Sequence, residues 1–142
     1  MNDALSDADG TTIVMGHHPL FVEGVDRLKH YDGVNLADSH RLIEAMSAWS
    51  NVVACSAGHT YRCRQIIVNG ISIGEVACVK DFPGAWAEYI VGSRGIAQIV
   101  HRASSPDAIE WAEKTRTMFN GYYGTFAMGK LLDRCFVLPL TR

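Results

Sequence analysis

Two short apolar runs, each followed by a glycine and a histidine, constrain this chain most. Residues 11–15 are rich in β-branched side chains and lead into Gly16-His17-His18. Residues 52–55 form a second run that leads into Gly58-His59. Both runs are typical of buried strands, and the carboxyl ends of strands are where α/β proteins place their chemistry. The sequence therefore predicts an α/β fold with imidazoles at neighbouring strand tips.

Composition places the chain among ordinary globular domains. It has 142 residues, of which 48% are hydrophobic and 20% charged, which predicts a single domain with a real core. A net charge of −2 gives no electrostatic basis for binding nucleic acid or an acidic membrane. No apolar run approaches the roughly 20 residues of a membrane span.

The N-terminal residues and the cysteines indicate the cellular compartment to expect. Residues 1–10 are acidic and lack the apolar stretch of a signal peptide, so we expect a cytoplasmic protein. The four cysteines are scattered and form no CxxC pair, which favours free thiols over a disulfide or zinc framework; they are Cys55, Cys63, Cys78 and Cys135.

The predicted order of elements begins with a flexible segment at residues 1–10 and a strand at 11–15. A long loop at 21–37 follows, and such loops tend to be functional; within it, His30, Tyr31 and Asp32 are either substrate contacts or solvated residues. Asp38 or Ser39 is expected to cap a helix that runs to about Trp49.

The rest of the chain is predicted to contain two hairpins and C-terminal helices. Asn69-Gly70 separates strands at 62–68 and 71–79, and residues 92–95 separate strands at 86–91 and 96–101. Pro106 is expected to open a helix that runs to about Phe119. A final strand is expected at 135–138.

The histidine blocks resemble those of a known superfamily. The block Val14-Met15-Gly16-His17-His18-Pro19, the following helix and the strand into Gly58-His59-Thr60-Tyr61 resemble the last two of five blocks in the calcineurin-like metallophosphoesterases. The similarity is to the cyclic-nucleotide and glycerophosphodiester phosphodiesterases. It implies an α/β sandwich of which this chain is the C-terminal part, with motif-bearing residues 11–79 and a hairpin and helical part at 80–142.

The resemblance also implies an activity and a site. The activity is metal-dependent hydrolysis of a small phosphate ester by two cations, of which one half-site is visible here. His17 and His59 would bind one metal, and His18 would contact a phosphate oxygen. Imidazole ligands suit Mn, Fe or Zn, and the ligand type alone does not identify which of these metals is bound.

Two departures from the family pattern limit that implication. Tyr61 stands where the family has a second histidine, so it would be a substitute ligand or an outer residue. The family's first three blocks, which carry most other ligands, do not precede residue 11. The sequence Asp38-Ser39-His40 has the D-x-H pattern of the first of these blocks, but it fits the start of a helix better.

Three explanations for the missing blocks remain open. The chain is a piece of a longer enzyme, one half of a two-chain enzyme, or a degenerate homologue. In the last case it would be a non-catalytic subunit acting in assembly or interaction. A sheet without its first strands exposes an edge, which predicts a homo-oligomer or a complementing segment or chain.

Other candidates each have two interpretations. Arg62 and Arg64 would meet a phosphate or simply be exposed strand arginines. The segment 82–86 would wall a substrate pocket or anchor a hairpin in the core. His101 is expected at the surface, and the aromatic segment 119–126 is expected to pack on the missing half or on a second subunit.

Overall fold

The computed structural model describes residues 2–8, 10–25 and 33–140. This part of the chain is mixed α/β, with two sheets and a few helices. The elements, in chain order, are α1 (Asn2–Ser6), β1 (Thr12–Gly16), α2 (Leu36–Ser47), β2 (Val52–Ala57), β3 (Arg64–Val68), β4 (Ile71–Glu75), β5 (Ala85–Gly92), β6 (Gly95–Arg102), α3 (Pro106–Phe126), α4 (Leu131–Arg134) and β7 (Cys135–Pro139). No helix of the described residues has the length and apolar character needed to cross a membrane.

The four-stranded sheet has the order β1-β2-β4-β3. β1, β2 and β4 run parallel, and β3 pairs with β4 in the antiparallel direction. β4 is buried along its whole length and β2 nearly so, as expected for parallel strands covered on both faces. The register sets Gly16 opposite Ala57 and Ala57 opposite Glu75, so three strands end level at one edge.

Helix α2 begins slightly earlier than predicted. Asn35, not Asp38 or Ser39, is the N-cap, and its side chain accepts a hydrogen bond from the Asp38 amide. The Ser39 hydroxyl instead accepts from the Phe21 amide at 3.0 Å and so fixes the preceding loop. Ile43 and Met46 of α2 join the core cluster of the four-stranded sheet.

The second sheet has the order β5-β6-β7 and is antiparallel throughout. It covers the other face of the first sheet, because Tyr89 of β5 hydrogen-bonds Ser56 of β2. The Gln98 side chain of β6 likewise lies against Gly74 of β4. The fold therefore has three layers, with α2 and the second sheet on opposite faces of the first.

Both predicted hairpins are confirmed, with shifted bounds. Asn69 and Gly70 have φ of 51° and 78°, the left-handed values that this type of tight turn requires. The strands of that hairpin start later and end earlier than predicted, at Arg64 and Glu75. Pro106 opens α3 as expected, but the helix resumes beyond Phe119 after a non-helical break at residues 118–121.

The N-terminal segment predicted to be flexible contains α1. Leu5 of that helix is buried in the core cluster of the first sheet. The Asn51 side-chain amide donates to the carbonyls of Ala8 and Gly10 and so ties this segment to the start of β2. A single buried leucine among polar residues gives no periodic pattern, which is why the sequence did not indicate a helix here.

Candidate metal centre

The tips of β1 and β2 are joined by a backbone hydrogen bond. The Gly58 amide donates to the His17 carbonyl at 3.1 Å, one step beyond the pair Gly16 and Ala57. Since the two strands are parallel and in register, the residues that follow each glycine come out at the same edge. The prediction that His17 and His59 meet there is confirmed.

Three imidazoles, not two, lie together at this edge. His17 Nε2 is 3.1 Å from His59 Nδ1. The ring centroid of His18 lies 4.4 Å from that of His59 and 5.0 Å from that of His17. One candidate ligand nitrogen from each ring lies within 4.8 Å of the others. Among the described residues this is the His, Cys, Asp or Glu cluster suited to a metal ion.

The dimensions of the cluster fit one metal ion. Imidazole nitrogens bind zinc at about 2.0–2.1 Å, which puts two nitrogens of a tetrahedral ion about 3.4 Å apart. The separation between His17 and His59 is close to that value, and the ligand nitrogen of His18 lies within 4.8 Å of the other two. Three protein ligands with a fourth position left open are the arrangement of catalytic rather than structural zinc sites.

The loop after β2 has an unusual backbone. His59 and Tyr61 have φ of 67° and 59°, in the left-handed region that side chains other than glycine rarely adopt. Each such residue costs about 1–2 kcal/mol. Strain of this kind persists only where surrounding contacts enforce it, and it concentrates at functional sites.

A buried ionic network lies directly beneath this loop. The Glu75 carboxylate, at the end of β4, accepts hydrogen bonds from the Thr60 hydroxyl at 2.5 Å and from Arg62 Nε at 2.8 Å. It also forms an ion pair with Arg64. Glu75 is only 2% exposed. Both guanidinium groups therefore engage this one carboxylate.

The expectation that Arg62 and Arg64 are exposed strand arginines is wrong. Their side chains are 9% and 13% exposed and both engage Glu75. The sequence predicted exposure because arginines at alternate positions usually lie on the solvent-exposed face of a strand. Glu75 is the last residue of an otherwise apolar strand. This position was the one feature of the sequence that indicated a buried acid able to pair with Arg62 and Arg64.

Tyr61 lies two residues beyond His59, and its ring stacks on Tyr123 of α3. The centroids are 5.3 Å apart and the planes differ by 8°. Burial is the main cause that raises the pKa of the Tyr61 phenol, with smaller contributions from Cys78 and Tyr123. At neutral pH the phenol therefore keeps its proton and is a hydrogen-bond donor. Its role as a substitute ligand stays a prediction.

The remaining sequence candidates lie away from the cluster or outside the described residues. Asp38, Ser39 and His40 lie in the first turn of α2, which confirms the helix interpretation. The segment 82–86 anchors the second hairpin, since Phe82 is buried and its amide donates to the Thr115 hydroxyl. The loop residues 26–32, with His30, Tyr31 and Asp32, lie outside the described residues.

His101 is not a simple surface residue. It is half-buried, stacks on Trp86 at 4.7 Å and contacts the Glu88 carboxylate at 2.8 Å. This group belongs to the second sheet and forms no part of the histidine cluster.

A large open cavity of about 970 Å³ lies at the opposite end of the first sheet. It opens between the two sheets, where Asn51, Gly70 and Val137 are among its lining residues. None of the three clustered histidines lines it.

Comparisons of the chain with protein-family models, with curated proteins and with solved structures find no match. The chemistry of the site must therefore be inferred from its own residues.

Proposed function

We propose that this chain binds a divalent transition-metal ion through His17, His18 and His59 and hydrolyses a small phosphate ester there. The observation that carries this proposal is the convergence of three imidazole nitrogens within 4.8 Å at the carboxyl edge of a parallel sheet. A bound ion of this class supplies an acidified water as nucleophile and a positive charge for the phosphoryl oxygens.

The loop that bears His59 also carries a phenol, Tyr61, two residues further along the chain. Burial is the main cause that raises the pKa of this phenol, so it is neutral at neutral pH. A neutral donor of this kind suits the oxygen of a phosphate ester.

The resemblance to metallophosphoesterases adds a second metal to this proposal. Its ligands would come from a further segment or from a second chain, since no second cluster lies in the described residues. Within that part of the chain, β1 is an edge strand that pairs only with β2. Its free side can accept another strand, which supports a homo-oligomer or a complementing chain as part of the complete enzyme.

The test is metal binding and turnover with a matched histidine control. Zn²⁺, Mn²⁺ and Co²⁺ are titrated by calorimetry, and hydrolysis of bis-p-nitrophenyl phosphate is followed with each metal. We expect one ion per chain, lost in the His17→Ala/His59→Ala variant and retained in His40→Ala, which removes an exposed histidine of α2. Absence of metal binding by the natural chain would overturn the site.

Turnover separates the metal site from the reaction. If the ion binds but no metal supports hydrolysis, alone or with a complementing chain, the phosphoesterase activity is wrong and the metal site stands. Circular dichroism of each variant shows whether it is folded.

A non-catalytic role in assembly is the second candidate. It is favoured by the number of large apolar side chains left in solvent, including Phe119 at 72% and Leu132 at 71% exposed. Exposed apolar side chains mark interaction sites where they form a contiguous patch. If this role is correct, light scattering shows an oligomer that persists in the His17→Ala/His59→Ala variant, and no metal supports turnover.

A further inference from the structure

We infer that Glu75 is a positioning residue for the metal site, and that it holds His59 in its ligand geometry through Thr60 and Arg62. This inference rests on the proposed function, because it presumes that His59 binds a metal ion. Its first support is the place of Glu75 in the sheet. Glu75 is the last residue of β4 and lies opposite Ala57 of β2, two residues before His59.

The connection between Glu75 and the loop is direct. The Thr60 hydroxyl donates to the carboxylate at 2.5 Å, and the Thr60 amide donates to the Gly58 carbonyl at 2.8 Å. Thr60 is thus fixed at both its side chain and its backbone, immediately after His59. Thr60 is 3% exposed, so water does not compete for these bonds.

Arg62 anchors the other side of the same loop. Its Nε and Nη2 atoms donate to the two oxygens of Glu75 at 2.8 and 3.2 Å. The carboxylate therefore binds residues 60 and 62, and the left-handed residues 59 and 61 alternate with them. One buried acid enforces the backbone conformation that directs His59 toward His17.

Stability alone gives a poor account of this network. A buried ion pair is often no more stabilising than apolar residues of the same volume. Here the carboxylate is bonded to Thr60 and Arg62 of a loop with left-handed residues, where it contributes geometry that apolar packing does not. Outer groups that orient metal ligands change metal affinity by about 10–100-fold when they are removed.

The test removes one buried hydroxyl near the site and one far from it. Thr60→Val deletes the bond to Glu75, and Thr60→Ser keeps a hydroxyl. Thr115→Val is the matched control, because Thr115 is equally buried and its hydroxyl bonds Phe82 and Ala112 instead. Co²⁺ affinity and the cobalt visible absorption spectrum are measured for each protein, together with its thermal unfolding.

We expect Thr60→Val to weaken Co²⁺ binding by about 10–100-fold and to alter the cobalt spectrum. Thr60→Ser should restore both, and Thr115→Val should lower thermal stability without changing either. Glu75→Gln should behave as Thr60→Val does where it folds; if it does not fold, the threonine pair decides.

The outcomes separate this inference from the proposed function. If the natural chain binds no Co²⁺, the metal site is wrong and the positioning role falls with it. If the natural chain binds Co²⁺ and Thr60→Val binds it equally well with the same spectrum, only the positioning role of Glu75 is overturned.

Discussion

The two ends of the four-stranded sheet are built in opposite ways. At the carboxyl edge, three imidazoles converge over a left-handed loop and a buried carboxylate. At the amino end, the strands border an open cavity of about 970 Å³ between the two sheets. This cavity lies at one end of the sheet, and the candidate metal ligands lie at the other.

Convergent ligands, rather than the open cavity, therefore locate the candidate site. Parallel strands direct the residues that follow them to one edge, so short tips can bring side chains from distant positions together. The amino end receives the loops that precede the strands, and no cluster of potential metal ligands lies there within the described residues. Three predictions test this contrast, and a fourth concerns the thiols.

The contrast first predicts local protection by metal at one end of the sheet. An ion present at 100 times its dissociation constant stabilises the folded state by about 2.7 kcal/mol. Amides at the carboxyl edge, such as those of Gly58 and Thr60, should then exchange hydrogen about 100-fold more slowly. The Thr12 amide at the amino end, bonded to the Asn51 carbonyl, should show little change in local exchange. Equal protection at both ends would contradict a site confined to one edge.

A core substitution midway between the two ends should lower the stability of the whole sheet without changing metal affinity. Ile73 of β4 lies in the core cluster and is buried between neighbours on β2 and β3. Ile73→Ala leaves a cavity and should lower the free energy of unfolding by about 2–5 kcal/mol. Urea denaturation measures this loss. Metal affinity of the protein that remains folded should be nearly unchanged, since no ligand is touched.

A substitution at the amino end should affect stability without affecting metal. Asn51 donates to the carbonyls of Ala8 and Gly10 and to the Thr12 hydroxyl. Asn51→Ala removes these bonds and should cost about 1 kcal/mol, seen as a lower melting temperature. If calorimetry shows that Asn51→Ala also weakens metal binding, the two ends are coupled and the contrast is too simple.

The smallest effect concerns the cysteines, which the sequence predicted to be free thiols. Within the described residues all four are free. Burial is the main cause that raises the pKa of Cys55 and Cys63, so less of each is thiolate at pH 8. Iodoacetamide should therefore modify the half-buried Cys78 and Cys135 first, as followed by mass spectrometry. All four should react at similar rates in urea.

Local patterns were enough to predict most elements. The β-branched runs, the Asn69-Gly70 turn and Pro106 gave β1, β2, both hairpins and the start of α3 close to their observed places. The end of the first part of α3 was predicted too, since the helix was expected to run to about Phe119 and the break lies at residues 118–121. Asn120 and Gly121 have left-handed φ there, which both residue types tolerate. The return of the helix as far as Phe126 was not predicted.

Part of the candidate site could also be predicted from local sequence patterns. The two glycine–histidine tips predicted that His17 and His59 would meet, because parallel strands share an edge. His18 as a third candidate ligand was not indicated, since sequence adjacency does not say which way consecutive side chains turn once a strand has ended.

The sequence by itself determined the strands, the helix between them and the edge at which the imidazoles emerge, because these follow from local periodicity and chain direction. Only the tertiary structure decided that Glu75, from the next strand, lies beneath His59 and binds Thr60, Arg62 and Arg64. That arrangement depends on the pairing of β2 with β4, a long-range contact whose register no local pattern specifies.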